Sequence, residues 1–273
     1  MKPAVWVAPG EPLPDPRQAG PEGLVAVGMD LSTERLREAY AQGLFPWFNE
    51  GDPVLWWSPD PRMVLACADF KVSRSLGKKL RQLERNESLS CPALRVTTNL
   101  AFTEVMRACA GPRKGANGTW ILPPLQQVYT DWHELGYVHS IETWQEGELV
   151  GGLYGVCLGR MFFGESMFSR ATDASKIALA YLVNFLRRNG VTHIDCQQET
   201  SHLASLGAQP LGRDDFLSFI KGAINQAGFS WGRGVLYQDG RLLENKTEIC
   251  APLRGAGGSR HAVQFAHGKS QID

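Results

Sequence analysis

The chain has 273 residues, of which 43% are hydrophobic and 21% charged, with 28 Lys plus Arg balanced by 28 Asp plus Glu. That composition excludes a disordered chain, which carries more charge and too few apolar residues to bury a core. A formal charge of zero excludes a globally cationic nucleic-acid coat, but not a local basic patch. No apolar run reaches the roughly 18 residues of a membrane span. The proline-rich residues 1–16 lack the apolar segment of a signal peptide, so none is expected. The six cysteines (Cys67, Cys91, Cys109, Cys157, Cys196, Cys250) are scattered, with no Cys-x-x-Cys pair. Neither a zinc site nor a disulfide framework is expected, only reduced thiols in a cytosolic chain.

Residues 24–27 form a short apolar run ending at Gly28, consistent with a strand. Ser32 can then cap a helix through about Gln42, stopped by Gly43. The prolines among residues 44–62 forbid a long helix and point to an ordered aromatic loop region, followed by a strand over 63–67. Residues 71–85 read as a helix carrying Lys71, Arg74, Lys78, Lys79, Arg81 and Arg85 against a single acid, Glu84. A strand over 95–98 precedes a helix capped by Asn99 and ending near Gly111, and residues 112–118 read as a loop. Pro123 and Pro124 suit the first turn of a helix that runs to Gly136.

Alternating apolar residues over 137–145, 148–158 and 160–168, separated by turns at Glu146-Gly147 and Gly159-Arg160, predict three consecutive antiparallel strands. A long amphipathic helix starts at Asp173 or Ser175 and ends at Gly190, and residues 193–196 return as a strand. The meander, helix and returning strand describe an α+β sandwich. A last helix covers 214–227; after about Leu236 the pattern dissolves into a Gly-, Arg-, Ser-, His- and Gln-rich tail.

Three polar residues fall near strand ends. Glu165 follows Gly164, and Asp195 and Gln197 lie two apart, which places them on one strand face. Such a carboxylate–amide cluster suits a polar reacting group, and it equally suits a structural network that pins strand ends. Other chemistries lack their motifs. Ser166 and Ser201 have no Gly-x-Ser-x-Gly context, and the histidines show no ligand spacing. Gly151-Gly152-x-x-Gly155 lies in a strand, where close backbone approach explains it better than a nucleotide loop. The basic helix is either a solvated face or a phosphate grip. The aromatic set Trp47, Phe48, Trp56, Trp57 and Trp120 is either core or a stacking surface for a base.

The segments Gly43-Leu-Phe-Pro-Trp-Phe48, Trp56-Trp-Ser-Pro-Asp-Pro-Arg62, Gly118-Thr-Trp-Ile121, His139-Ser-Ile-Glu142, Gly151-Gly-Leu-Tyr-Gly155, Phe163-Gly-Glu-Ser-Met-Phe-Ser169, Ser175-Lys176 and Asp195-Cys-Gln197, with His202 and Ser205-Leu-Gly-Ala208, occur in one order. Together they closely resemble the leucyl/phenylalanyl-tRNA–protein transferases, from about Leu24 to Ile220. The resemblance implies an α+β protein: a small N-terminal α/β domain (1–70) and a GNAT-like acyltransferase domain (71–236) with a mixed, largely antiparallel sheet flanked by helices. A disordered tail (237–273) would follow. It implies a cytoplasmic enzyme without cofactor or metal, and nothing in the sequence demands more than a monomer. The donors would be Leu-tRNA, Phe-tRNA and Met-tRNA, and the acceptors proteins with N-terminal Arg or Lys, marked thereby for N-degron degradation.

By the same resemblance, Asp195 and Gln197 stand at the reacting centre and Glu165 holds the acceptor. Tyr40, Trp47 and Trp120 flank the terminal adenosine, and Leu153, Met167 and Leu182 line the donor side-chain pocket. Arg74, Lys78, Lys79 and Arg81 are the expected phosphate contacts, from the basic helix. Two other classes fit less well. An acetyl-CoA-dependent N-acetyltransferase needs a Gly-rich pyrophosphate loop, and Gln209-Pro-Leu-Gly-Arg-Asp is a poor match that follows the wrong strand. A tRNA-binding module without catalysis leaves Asp195, Gln197 and Glu165 unexplained.

Overall fold

A computed structural model describes residues 4–89, 92–111 and 119–244. The loop expected over 112–118, the tail from 245 onward, and Cys91 and Cys250 lie outside the described residues. The chain opens with strands β1 (Val5–Val7) and β2 (Leu24–Gly28), helix α1 (Thr33–Ala41), and strands β3 (Phe45–Pro46) and β4 (Val54–Trp57). The four strands form a sheet in the order β1-β2-β4-β3, with only the β1–β2 pair parallel. Ser32 caps α1 as expected, its hydroxyl accepting from the Arg35 backbone N–H.

The rest of the chain builds one nine-stranded sheet. In chain order it contains β5 (Arg62–Ala66), helix α2 (Arg74–Asn86), β6 (Leu94–Thr98), helices α3 (Phe102–Ala110) and α4 (Pro123–Glu134), and the meander β7 (Val138–Gln145), β8 (Glu148–Leu158) and β9 (Met161–Ser169). Helix α5 (Ala174–Arg188) leads to β10 (His193–Gln197), followed by α6 (Ser201–Ser205), β11 (Gln209–Leu211), α7 (Arg213–Ile224), β12 (Gly234–Leu236) and β13 (Leu242–Glu244). The spatial order is β11-β5-β10-β9-β8-β7-β6-β12-β13. Every neighbouring pair is antiparallel except β9 and β10, which need a crossover connection and receive it from α5. Parallel neighbours joined by a helix inside an otherwise antiparallel sheet meet the GNAT-like expectation.

The pleat sends alternate residues to two cores. Tyr154, Val156 and Phe163 join the core beneath α1, α3, α4 and α7, whereas Leu153 and Phe162 join the core beneath α2 and α5. The first core also contains Val7, Leu36, Tyr40 and Trp56, so the small sheet is packed against the large one through shared apolar burial. Gly151 allows α5 to approach: a Cβ there would lie 2.5 Å from Ala174 Cβ. Among the described residues no helix is long and apolar enough to cross a membrane.

Several elements differ from expectation. β5, assigned with the small N-terminal unit, pairs in the large sheet between the edge strand β11 and β10, where its residues are largely buried on both faces. Residues 242–244, assigned to the tail, pair with β12 as an edge strand. Asn99 does not cap α3. It adopts a left-handed φ of 58° and spends its side chain on the Ser140 N–H, His139 and the Gly232 carbonyl. The basic helix starts at Arg74 rather than Lys71, because Ser73 caps it.

Candidate active site

Two irregularities on neighbouring strands create the site. On β9, Gly164 pairs with Gly155 and Ser166 with Tyr154, so Glu165 is the extra residue of a β-bulge. On β10, Asp195 pairs with Val64 and Gln197 with Met63, so the register slips again. Bulges re-aim side chains and end pairing. The β9–β10 ladder stops at Asp195 opposite Phe163, and beyond it the two strands offer Glu165 and Gln197 to the same space. The expected simple alternation of Asp195 and Gln197 is therefore broken. Gln197 sits at φ 62°, in the left-handed region.

Glu165 and Gln197 meet at these irregularities. Gln197 Nε2 donates to Glu165 Oε1 at 2.8 Å. The same oxygen accepts from Tyr40 at 2.7 Å, and Oε2 accepts from Tyr129 at 3.1 Å. The two phenolic oxygens are 2.6 Å apart. Burial pushes the Glu165 carboxyl up to about 7; the two tyrosine hydrogen bonds oppose this, Asp195 adds to it and Arg62 counters it. Burial also raises both phenols well above the ordinary tyrosine range. Asp195 is fully buried and faces Arg62, whose Nε and Nη2 bond Oδ1 and Oδ2 at 2.8 and 2.7 Å. Asp195 Oδ1 also accepts the Gln197 backbone N–H at 2.8 Å.

Glu165 and Gln197 form part of the wall of a cavity of about 560 Å³. Leu153, Met167 and Leu182 line it, together with Leu65, Phe162, Leu179 and Ile194, giving an apolar interior. Trp47, which is 40% exposed, and Trp120 line it as well. Trp47 is fixed by Trp57, whose indole N–H donates to the Trp47 carbonyl at 2.7 Å and whose ring lies 5.7 Å away. Gln198, Thr200 and His202 complete a polar sector.

The nine residues expected at the centre and the adenosine pocket are thus close together, seven of them on the cavity wall and Asp195 and Tyr40 behind it. Tyr40 is the correction. It is fully buried, is absent from the cavity wall and stands behind Glu165, so it cannot stack a base. Helix α2 buries Leu76, Leu80 and Leu83 and exposes Arg74, Lys78 and Arg81. Lys79 differs from these: its ammonium bonds Asp173 Oδ2 at 2.7 Å and the Thr172 carbonyl at 2.9 Å, tying α2 to the start of α5. Sequence reasoning missed Tyr129 and Arg62 as site residues. Tyr129 sits on the buried face of α4 with Leu125 and Trp132, a face that helical spacing reveals without revealing its partner.

The family model described as leucyl/phenylalanyl-tRNA protein transferase matches residues 64–221, and that of its N-terminal domain matches residues 29–60. Similar proteins carry the same description. One from Bordetella bronchiseptica is 59% identical over 239 residues, covering 87% of this chain and 94% of its own. Another from Bordetella petrii is 56% identical over 239 residues, with coverage of 87% and 94%. A third, from Burkholderia ambifaria, is 51% identical over 258 residues, with coverage of 92% and 98%. With the larger family model spanning more than half of it and these relatives matching most of it, the chain belongs to the leucyl/phenylalanyl-tRNA–protein transferase family.

Proposed function

We propose that the protein transfers leucine or phenylalanine, and also methionine, from charged tRNA to the α-amine of proteins that begin with arginine or lysine. It would do so as a cytoplasmic monomer, and the product would enter N-degron degradation. The observation that carries the reading is the meeting of Glu165 and Gln197 across two bulges in the wall of an apolar cavity.

The donor is an activated ester, so the transfer needs no ATP. The amine nitrogen attacks the ester carbonyl carbon; the new C–N bond replaces the bond to the 3′ oxygen, and the proton lost by the amine ends on that oxygen. The protein's task is to hold two substrates in line and to handle that proton. Leu153, Met167 and Leu182 take the donor side chain, and Trp47 and Trp120 take the adenosine. Gln197 spends its amide N–H on Glu165, which leaves its amide oxygen to accept from the acceptor amine. Glu165 accepts three hydrogen bonds and keeps room for one more on Oε2, where its charge favours a cationic N-terminal residue. It is also the carboxyl in the cavity wall able to hold a proton near neutral pH. Asp195 lies behind the wall with both oxygens bonded, so it acts through Gln197 rather than on the amine.

Peptides that differ only in their first residue test the acceptor assignment. Arg- and Lys-initiated peptides are expected to react at least 10-fold faster than an Ala-initiated one at equal low concentration. Equal rates would overturn the acceptor assignment.

A further inference from the structure

Arg62 is a buried cation that the transfer chemistry does not use. It ends the Trp56-Trp-Ser-Pro-Asp-Pro-Arg62 run, opens β5 and is fully buried. Its guanidinium carbon lies 4.7 Å from the centre of the Phe45 ring and 4.7 Å from that of Phe216. Held between two rings, the planar group presents its Nε–Nη2 edge to Asp195 as a fork. A buried ion pair of this kind is a poor source of stability, since well-packed apolar residues do as well or better, but it fixes geometry.

The geometry it fixes leads directly to the reacting side chains. Asp195, anchored at both oxygens, accepts the backbone N–H of Gln197 at 2.8 Å. That bond closes the left-handed turn at φ 62°, a conformation that glutamine seldom adopts unaided. The turn in turn directs Gln197 Nε2 to Glu165 at 2.8 Å. We propose that Arg62 is a positioning residue for aminoacyl transfer: through Asp195 it holds the turn that places the Gln197 amide and the Glu165 carboxylate in the cavity wall. The proposal rests on the reading that Gln197 meets the acceptor amine.

Arg62 has a second, electrostatic effect on the same group. The groups that bear directly on Glu165 are Asp195 on β10, Arg62 on β5, and the phenols of Tyr40 on α1 and Tyr129 on α4, while His202, held below the ordinary imidazole range by burial and by Lys176, lines the same cavity. Asp195 pushes the Glu165 carboxyl up and Arg62 pulls it down, so the pair offset each other. Without Arg62 the buried Asp195 loses its counter-ion, and a carboxyl left alone in an apolar interior takes up a proton rather than keep its charge.

Two substitutions separate the effects. Arg62→Lys keeps the charge and loses the fork; Arg62→Met loses both. Each variant is assayed for kcat, acceptor KM and the pH dependence of kcat, using phenylalanyl-adenosine as donor and an Arg-initiated peptide. Binding of an amide-linked phenylalanyl-adenosine, read by tryptophan fluorescence, reports whether the cavity is intact. Both variants are expected to bind this analogue within about twofold of wild type while kcat falls about 10²-fold, the range for positioned acid–base groups. The acidic limb of kcat should stay in place for Arg62→Lys, which keeps the charge beside Asp195. An Arg62→Lys enzyme with wild-type kcat overturns the proposal. So does one that loses analogue binding along with activity, because Arg62 then merely supports the fold. Gln197→Ala, assayed in parallel, separates the two levels: if it retains full kcat, the underlying reading of the site fails, whereas a slow Gln197→Ala beside a fast Arg62→Lys refutes the role of Arg62 alone.

Discussion

Gln197 donates to Glu165 at 2.8 Å although the two residues are 32 positions apart and leave different strands, each where the ladder slips by one residue. Since β9 and β10 run parallel and lose their pairing at this point, a gap opens between them with both functional side chains at its edge. The cavity extends from that gap toward α5, whose Leu179 and Leu182 form its apolar wall.

The carboxyl of Glu165 is expected to set the pH dependence of transfer. If the ionised form is the active one, kcat at saturating acceptor falls as the pH drops through about 7, where burial has moved this group. Glu165→Gln should abolish that limb and raise the KM for an Arg-initiated peptide. Loss of one charge-assisted hydrogen bond is worth about 1.5–3 kcal/mol. A variant with unchanged KM and an unchanged profile would remove Glu165 from the acceptor site.

Donor size should be read by the apolar interior. Leu153→Ala or Met167→Ala enlarges the cavity, and the smaller leucyl donor should lose more than the phenylalanyl donor. A difference of one methylene in such a pocket is worth about 1–3 kcal/mol. Equal losses for the two donors, measured as kcat/KM at normal stability, would place these residues in the core rather than in the donor site.

The exposed face of α2 carries Arg74, Lys78 and Arg81, while Lys79 is engaged by Asp173. Lys78→Ala with Arg81→Ala should therefore flatten the dependence of log K on log salt for charged tRNA by up to about two units, at roughly 0.9 per phosphate contact. Transfer from phenylalanyl-adenosine, which has no stem to hold, should not change. Equal losses on both donors would make the helix face structural.

The meander, its following helix and the returning strand were legible because their signals are local, whereas the short strands β11 and β12 were not read from the sequence. Period-two alternation with turns at Glu146-Gly147 and Gly159-Arg160 marks β7, β8 and β9, and Asp173 and Gly190 bracket α5. What stayed hidden depends on partners distant in sequence. An arginine after Asp60-Pro61 reads as a surface residue until Phe45, Phe216 and Asp195, from three separate segments, enclose it. The bulge at Glu165 exists only relative to β8 and that at Cys196, just before Gln197, only relative to β5, so neither strand's own pattern reveals it. Tyr40 was placed at the adenosine only by the resemblance, and its hydroxyl partner, Glu165, lies 125 residues away. β13 is three residues long at the sheet edge, with two of them exposed, too short to show a pattern.

A second buried carboxyl bears on stability. Glu142 is fully buried on β7 and is raised to about 7 by burial, with Ser140, Thr97 and two backbone N–H groups opposing the shift. Its folded value exceeds its unfolded value of 4.5, so its favourable contribution is present below pH 4.5 and lost as the pH rises toward 7. The shift corresponds to about 3 kcal/mol at roughly 1.4 kcal/mol per unit. His139, lowered to about 3 by burial, has the opposite slope between pH 3 and 6.5, so the comparison is made against wild type. Denaturation curves for Glu142→Gln should gain stability relative to wild type as pH rises from 5 to 8. A difference that stays constant across that range would contradict the assigned ionisation.

The central claim is that the cavity holds the aminoacyl ester while Gln197 presents the acceptor amine to it. Mass spectrometry of an Arg-initiated peptide incubated with phenylalanyl-tRNA and the purified protein tests this most directly. The account predicts that the peptide gains one phenylalanyl residue on its α-amine. It also predicts that Gln197→Ala slows this about 10²-fold while binding the donor normally. A peptide of unchanged mass, or a Gln197→Ala enzyme that transfers at the wild-type rate, would contradict it.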